Sequence, residues 1–515
     1  MSSMNTPTGL ENGMQSNDPR YDYDVIIVGA GIVGAMVART LARYDLDILW
    51  LEKEEDICTG ATAANSALIH GGYAAVPGTL KAEMNGRANP MWDQLAEELQ
   101  FSFERSGTYV VAIGEEEREV LTELEERAEV NGVPVEIISG EAMKAREPQI
   151  NPDVSGALYC PAGGISDPWG ATLAAAENAV INGVTLLRST AFQDFLWEEG
   201  TDRRTVAGVE TSRGPFTAPW VINAAGLYAD EIMHKAGVRP EFTITPRRGE
   251  YFVLDRELVQ INNVLFPVPT KVSKGILVTT TVHENALIGP NAEEIDDKTD
   301  PSVTAAGMDE IWEGAIKLVP DLKGNEVIAV FAGLRPGGNA PCLNPEVDYH
   351  KDFVIEIAEE VDGLINLAGI ESPGLTSAPA IAARTVELLE DAGMPLHERP
   401  DWNPIRRARP VFRHLSHEEQ AALVAEDPRY GRIICRCEYV TEGEIVAEIH
   451  APIPAVTYDA IKRRTWLGTG RCQGAFDMPR VVDILARELD MDPDEISKKG
   501  AGTELLSRKT KQPIR

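Results

Sequence analysis

Asp24-Val25-Ile26-Ile27-Val28-Gly29-Ala30-Gly31-Ile32-Val33-Gly34 is followed by an apolar-periodic segment to about Tyr44, then by Ile48-Leu49-Trp50-Leu51-Glu52. The first apolar run suits a short strand buried on both faces. A glycine turn, a helix and a second strand ending on an acid complete a βαβ opening. A lone G-x-G-x-x-G marks only a turn. Between a strand and a helix, with the acid in place, it is the fingerprint of a dinucleotide site. Gly29 permits the tight turn, Gly31 lets backbone approach a pyrophosphate, and Gly34 lets helix and strand pack closely. The helix N-terminus offers unpaired N–H groups to the phosphates. Glu52 would accept hydrogen bonds from an adenosine ribose.

Nicotinamide and flavin dinucleotides share that fingerprint, so other segments must decide. Thr59 to Gly72 is a small-residue run with hydroxyls and no charge, able to wrap a cofactor. The strand Trp220-Val221-Ile222 ends in Asn223-Ala224-Ala225-Gly226, and Gly369 to Thr376 opens another helix. Three strand ends bearing small residues suggest a long cofactor lying across the sheet. The third helix start would place positive dipole near a flavin ring.

Working outward, residues 115–131 read as an exposed amphipathic helix and 241–290 as an antiparallel sheet. Residues 302–318 read as a helix, Glu326–Phe331 and Asp362–Ala368 as strands, and Ser377–Leu389 as a helix. Residues 1–21 read as a disordered tail. The proline-bearing 396–430 reads as a linker with one short helix near His417–Ala425, and 491–515 as a loosely ordered tail. The 515 residues suggest about three domains. The net charge of −33 argues against nucleic acid as a partner. No apolar stretch is long enough to span a bilayer. Six cysteines are too few for a disulfide scaffold, and the expected compartment is the cytoplasm.

The flavin segments resemble the FAD-dependent D-amino-acid-oxidase-like superfamily. Within it they are similar to anaerobic-type glycerol-3-phosphate dehydrogenases and to L-2-hydroxyglutarate-oxidising enzymes, over residues 22–395. The resemblance implies a mixed α/β and α+β architecture: a Rossmann-like FAD-binding domain with an inserted antiparallel-sheet substrate domain, mainly 240–345. It implies FAD contacts from Gly29, Gly31, Gly34, Glu52, Lys53, Thr62, Ser66, His70, Ala225, Gly226, Gly369, Gly374, Leu375 and Thr376. Thr62 and Ser66 also read as loop caps, and the loop of His70 suggests cofactor packing rather than proton transfer.

Arg335, ending the run Phe331-Ala332-Gly333-Leu334-Arg335, offers a planar fork suited to carboxylate or phosphate. It matches the family's anion-binding arginine, and its alternative is an ion-pair partner. His283 lies between two substrate-sheet strands. Taken alone it reads as a structural histidine; the resemblance makes it a candidate base for an alcohol proton. Lys274 is a candidate anion ligand or a solvated lysine. One departure weakens glycerol 3-phosphate and leaves 2-hydroxy acids open. Aerobic glycerol-3-phosphate enzymes carry an arginine two positions after Ile-His-Gly-Gly, where this chain has Tyr73-Ala74. Arg247 and Arg248 are candidates to compensate, or a surface pair.

Residues 431–490 form a separate module. Cys435-Arg436-Cys437 is followed, after thirty-four residues, by Cys472, with Asp477 five positions on. The pattern resembles the small, helical BFD-like [2Fe–2S] domain, because thiolates suit iron. Gly468, Gly470 and Gly474 would admit backbone N–H groups to the sulfurs. The fourth ligand position holds Asp477 where the family has cysteine. Two expectations follow: a cluster retained with an atypical ligand, or a module without one.

The leading expectation is an FAD-dependent dehydrogenase of a small anionic secondary alcohol, most simply glycerol 3-phosphate. Electrons would pass to a partner or quinone. Family members of this type work beside a second flavoprotein and an iron–sulfur or membrane-anchor subunit, which would make the protein peripheral to the membrane. The alternatives are oxidation of an L-2-hydroxy acid or an amine, and a flavin and iron–sulfur electron-transfer module without substrate chemistry.

Overall fold

The computed structural model describes residues 21–200, 202–269, 275–342, 344 and 346–507. At its centre Val25–Val28 is wholly buried, with Ile48–Leu51 on one side and Trp220–Asn223 on the other, both parallel to it. Leu364–Ala368 and Thr185–Leu187 extend the parallel sheet outward, and Val354–Ile357 closes one edge antiparallel. Continuous apolar strands need cover on both faces. Helices Ile32–Leu41, Pro168–Ile181 and Gly374–Asp391 supply one cover, around Met36, Trp50, Trp92 and Ile381. The meander Phe192–Thr217 and helix Ala229–Ala236 supply the other. This is the expected Rossmann-like layer.

Gly29 has φ +105°, and a Cβ there would lie 2.5 Å from the Ala224 carbonyl oxygen. Any other residue would therefore push the two strand ends apart.

The second sheet is mixed and has nine strands. Its spine is the antiparallel pair Ile244–Leu254 and Val327–Gly338, in register from Ile244 opposite Gly338 to Leu254 opposite Val327. Helix Ala305–Leu318 packs on it. The sheet reaches beyond 240–345: Val264–Pro267 pairs parallel with Thr108–Ile113, which leads to Val154–Cys160 and Glu136–Ser139. Pairing of strands so distant in sequence leaves no local signature.

The C-terminal module has a hairpin, Ile433–Cys435 with Val440–Thr441, and helices Glu442–Ile449, Tyr458–Thr465 and Met478–Leu489. The chain from 491 to 507 differs from the expected loose tail. Ile496 is fully buried in the module's core, Leu505 N–H donates to its carbonyl at 3.0 Å, and Ala501 N–H reaches Glu55.

The 396–430 segment contains the expected short helix, His417–Glu426, but the stretch before it is a strap rather than a free linker. Arg399 donates to the Asn182 carbonyl at 2.7 Å, and Arg406 and Arg409 both grip Glu177. Prolines remove donors and favour extended backbone, so the strap takes its anchors from side chains. Residues 1–20, within the expected tail, lie outside the described residues, as do 508–515. No described helix is long and apolar enough to cross a membrane.

Candidate active site

A cavity of about 950 Å³ runs from the glycine turn, past the ends of the parallel strands, to the spine of the second sheet. That lies at the upper end of ordinary ligand pockets, roughly 300–1,000 Å³, and suits a molecule as long as a dinucleotide. Gly29, Gly31, Glu52, Lys53, Thr62, Ser66, His70, Ala225, Gly226, Gly374 and Leu375 line it. Gly34, Gly369 and Thr376 stand behind the lining. A Cβ on Gly34 would run into the Gly29 carbonyl, which is the expected helix–strand contact. Gly369 (φ +65°) abuts Gly338, and Thr376 Oγ1 accepts the His70 N–H at 2.9 Å.

The dinucleotide end is pre-arranged. Glu52 Oε2 accepts the Ala30 N–H at 2.9 Å, and Thr62 Oγ1 accepts the Ile32 N–H at 3.1 Å. Burial raises the Glu52 carboxyl above its ordinary range despite those donors. The Lys53 ammonium sits 3.7 Å from the centroid of the Tyr228 ring.

The other end gathers positive charge. Arg335 and Arg247 are directly opposite each other in the sheet spine. Arg335 Nη2 donates to the Asn291 carbonyl at 2.9 Å. Lys81 Nζ pairs with Glu371 at 2.8 Å, and Arg247 reaches the same carboxylate at 3.7 Å. Burial works to raise Glu371, but Lys81, Arg247 and Arg335 outweigh it and hold the carboxyl below its usual range. Ser66 Oγ lies 3.2 Å from the Tyr251 hydroxyl, and Tyr251 stacks on Phe331.

His70 is fixed from several sides. Asn85 and Asn89 donate to its carbonyl, Thr376 takes its N–H, and its Nε2 is 3.3 Å from Ser372 Oγ.

His283 requires a correction as the expected base. It is absent from the cavity lining and sits at the junction with the C-terminal module, its ring 3.8 Å from that of Trp466. Arg413 donates to its Nδ1 at 2.8 Å. Burial, then Arg413, pushes the imidazole down to about 3, too weak a base for an alcohol proton. Arg248 is likewise turned away from the cavity, held by Glu293 and Asp300, so Arg247 alone of that pair faces it. Lys274 lies outside the described residues. Sequence reasoning missed Lys81 and Glu371. A lysine in a first helical turn carries no signal, whereas an acid inside the Gly369–Thr376 turn was visible.

In the module, Cys435 Sγ, Cys472 Sγ and an Asp477 carboxylate oxygen lie within 4.8 Å of one another. Cys437 lies against Cys472. A Cβ on Gly470 would be 2.6 Å from the Cys437 Cβ, so the loop closes on the sulfurs only with glycine there. Asp477 is almost fully buried. Tyr458 donates to its Oδ1 at 2.7 Å, but its Oδ2 has no partner. A buried carboxylate oxygen without a donor is costly, and a metal among three thiols would satisfy it. The donor set fits an iron–sulfur cluster with one oxygen ligand.

The fold and cavity define a flavoprotein oxidoreductase of two-domain design. Residues 24–388 match the family described as FAD dependent oxidoreductase, and 433–487 match the BFD-like [2Fe-2S] binding domain. The chain belongs to the FAD-dependent oxidoreductase family and carries that second domain at its C-terminal side. It is 44% identical over 494 residues to a glycerol 3-phosphate dehydrogenase of Caloramator mitchellensis, covering 96% of this chain and 100% of that protein. It is 27% identical to the anaerobic glycerol-3-phosphate dehydrogenase subunit A1 of Haloferax volcanii, over 90% of this chain and 83% of that one. Among solved structures, the L-alpha-glycerophosphate oxidase of Mycoplasma pneumoniae with FAD bound is similar, with a TM-score of 0.68 at 30% identity. It covers 75% of this chain and 99% of its own.

Proposed function

We propose that the protein oxidises the secondary alcohol of glycerol 3-phosphate and passes the electrons through its C-terminal iron–sulfur module to an acceptor protein. The observation that carries this reading is the surplus of cations, Lys81, Arg247 and Arg335, at one end of a cavity whose other end is built for a dinucleotide. A phosphate dianion needs several donors at once, and a guanidinium fork meets two of its oxygens together. Arg247 and Lys81 supply the positive charge that Tyr73 and Ala74 do not.

FAD held in this cavity would supply the acceptor for the hydride of the carbinol carbon. The chain's residues do the rest. Arg335 and Arg247 bind the phosphate, with Arg335 held by the Asn291 carbonyl. Glu371 orients Lys81 and Arg247. His70, the pinned histidine lining this cavity, takes the hydroxyl proton as the hydride departs, so a ketone is left. The imidazole then returns that proton to solvent. Full support of its backbone keeps the ring from drifting out of reach.

The reading also includes a peripheral association with the membrane through a partner subunit, supported by the similarity to a protein named as subunit A1. The test is anaerobic addition of glycerol 3-phosphate, L-2-hydroxyglutarate or an amino acid to the purified flavoprotein. Bleaching of the flavin band by the first alone is expected. Bleaching by either of the others, and not by glycerol 3-phosphate, overturns the substrate.

A further inference from the structure

Between the cavity and the cysteines lies a block of aromatic rings that neither site uses. Trp169 and Trp466 stack with centroids 4.6 Å apart and planes 25° from parallel. Trp169 belongs to helix Pro168–Ile181 of the flavin domain; Trp466 ends helix Tyr458–Thr465 of the module.

Each ring is tied to one of the two sites. The Trp169 indole N–H donates to the Ala63 carbonyl at 2.9 Å, and Ala63 stands between Thr62 and Ala64 of the cavity lining. Ala64 lies against Gly333, two residues from Arg335, and Thr62 caps the glycine turn, so the attachment sits between the two ends of the cavity. On the other side, the Trp466 carbonyl accepts from Thr469 Oγ1 at 2.7 Å, at the start of the loop that runs through Gly470 to Cys472. Trp466 has φ +63°, a left-handed conformation uncommon for a bulky residue. Asp167 binds both residues at once: its Oδ1 accepts the Trp169 backbone N–H at 2.9 Å and its Oδ2 the Trp466 indole N–H at 3.2 Å. The Cys437 side is braced too. Arg256 donates to the Cys437 carbonyl, and Arg256 and Arg413 both pair with Glu438.

We propose that the stacked Trp169 and Trp466 indoles are the route by which electrons cross from the flavin cavity to the cysteine module. The proposal rests on the reading that FAD and an iron–sulfur cluster occupy those two sites. Electron tunnelling falls off less steeply through packed, polarisable rings than across a gap, and this stack spans the boundary between the two units. Each crossing moves one electron. The reduced flavin is oxidised in two crossings and gives its protons to water; the cluster is reduced by one electron each time. In turnover it then passes that electron to a one-electron acceptor protein; with no acceptor added, the electron stays on the cluster.

The test uses anaerobically purified holoenzyme mixed rapidly with glycerol 3-phosphate. Flavin bleaching is followed by absorbance, and cluster reduction by EPR of freeze-quenched samples. Trp466→Leu and Trp169→Leu are expected to bleach at the wild-type rate, while the EPR signal grows about tenfold more slowly or worse. Trp466→Phe, which keeps a ring, should recover part of the loss. Dithionite should develop the full signal in all of them, showing the cluster intact. If Trp466→Leu loses iron, Trp169→Leu, outside the module, decides. Wild-type EPR kinetics in Trp169→Leu would overturn the route while leaving the wider reading intact. A wild-type enzyme that bleaches without developing any EPR signal would remove both.

Discussion

The substrate end of the cavity and the junction with the cysteine module are both rich in arginine, yet they use it differently. At the junction three buried carboxylates each take a pair of arginines. Asp56 takes Arg463 and Arg464, Glu177 takes Arg406 and Arg409, and Glu438 takes Arg256 and Arg413. Burial would raise the Asp56 carboxyl, but Arg464 and then Arg463 outweigh it and hold it well below its ordinary value. In the cavity Lys81 and Arg247 share one buried carboxylate, Glu371, Arg247 also reaches the exposed Glu294 at 3.4 Å, and Arg335 gives a donor to a backbone carbonyl. Matched charge marks a joint, and surplus charge marks a place suited to an anion. On a chain carrying 81 acidic against 48 basic residues, such a surplus stands out further.

The histidines give the sharpest way to break that contrast. His70→Asn should lower the rate of flavin reduction by substrate by about two to four orders of magnitude, because the proton acceptor is lost. His283→Gln, at the junction, should leave that rate unchanged in the same stopped-flow measurement. The reverse pattern would return the base to the junction.

Next comes the joint itself. Asp56→Ala leaves Arg464, almost wholly buried, without its main partner. Loss of one side of a buried pair costs about 3–5 kcal/mol. The urea midpoint should drop accordingly; an unchanged midpoint would mean that water or Glu448 takes over. Arg335→Lys keeps the charge and loses the fork. It should cost about 2–3 kcal/mol, or about 30- to 150-fold in kcat/KM. Wild-type kinetics would reclassify Arg335 as a packing residue.

The smallest expected effect is a pH slope at the aromatic block. Burial raises the Asp167 carboxyl to about 6, from 3.8 ordinarily. The native state therefore binds a proton that the unfolded state lacks between those values, and stability falls as pH rises through that window. Between pH 5 and pH 7 Asp167 should contribute a loss of about 1.4 kcal/mol. Asn also caps helices well, so Asp167→Asn should flatten this slope in thermal melts whatever its absolute stability. An unaltered slope would assign it to other groups.

Much of this was legible in the sequence. Gly29, Gly31, Gly34 and Glu52 are consecutive in local structure, so their spacing alone places them at one strand end. The two cysteines of Cys435-Arg436-Cys437 and the distant Cys472 also declared themselves. Lys81 and Glu371 did not, because they meet only when helix Leu80–Ala88 packs beside the Gly369–Thr376 turn. His283 misled for a related reason. Its position between two strands was readable, but the surface it faces is set by the docking of Trp466 and Arg413 from another part of the chain. The strap was hidden because its anchors are arginines that look like solvated charge.

The surplus of cations is tested most directly by what the phosphate contributes. Anaerobic single-turnover bleaching should be compared for glycerol 3-phosphate and for glycerol, which presents the same alcohol without the dianion. Without two or more charge-assisted contacts, glycerol should react about three orders of magnitude more slowly, or worse, in apparent second-order rate. Comparable bleaching by the two alcohols would contradict a phosphate site at Lys81, Arg247 and Arg335.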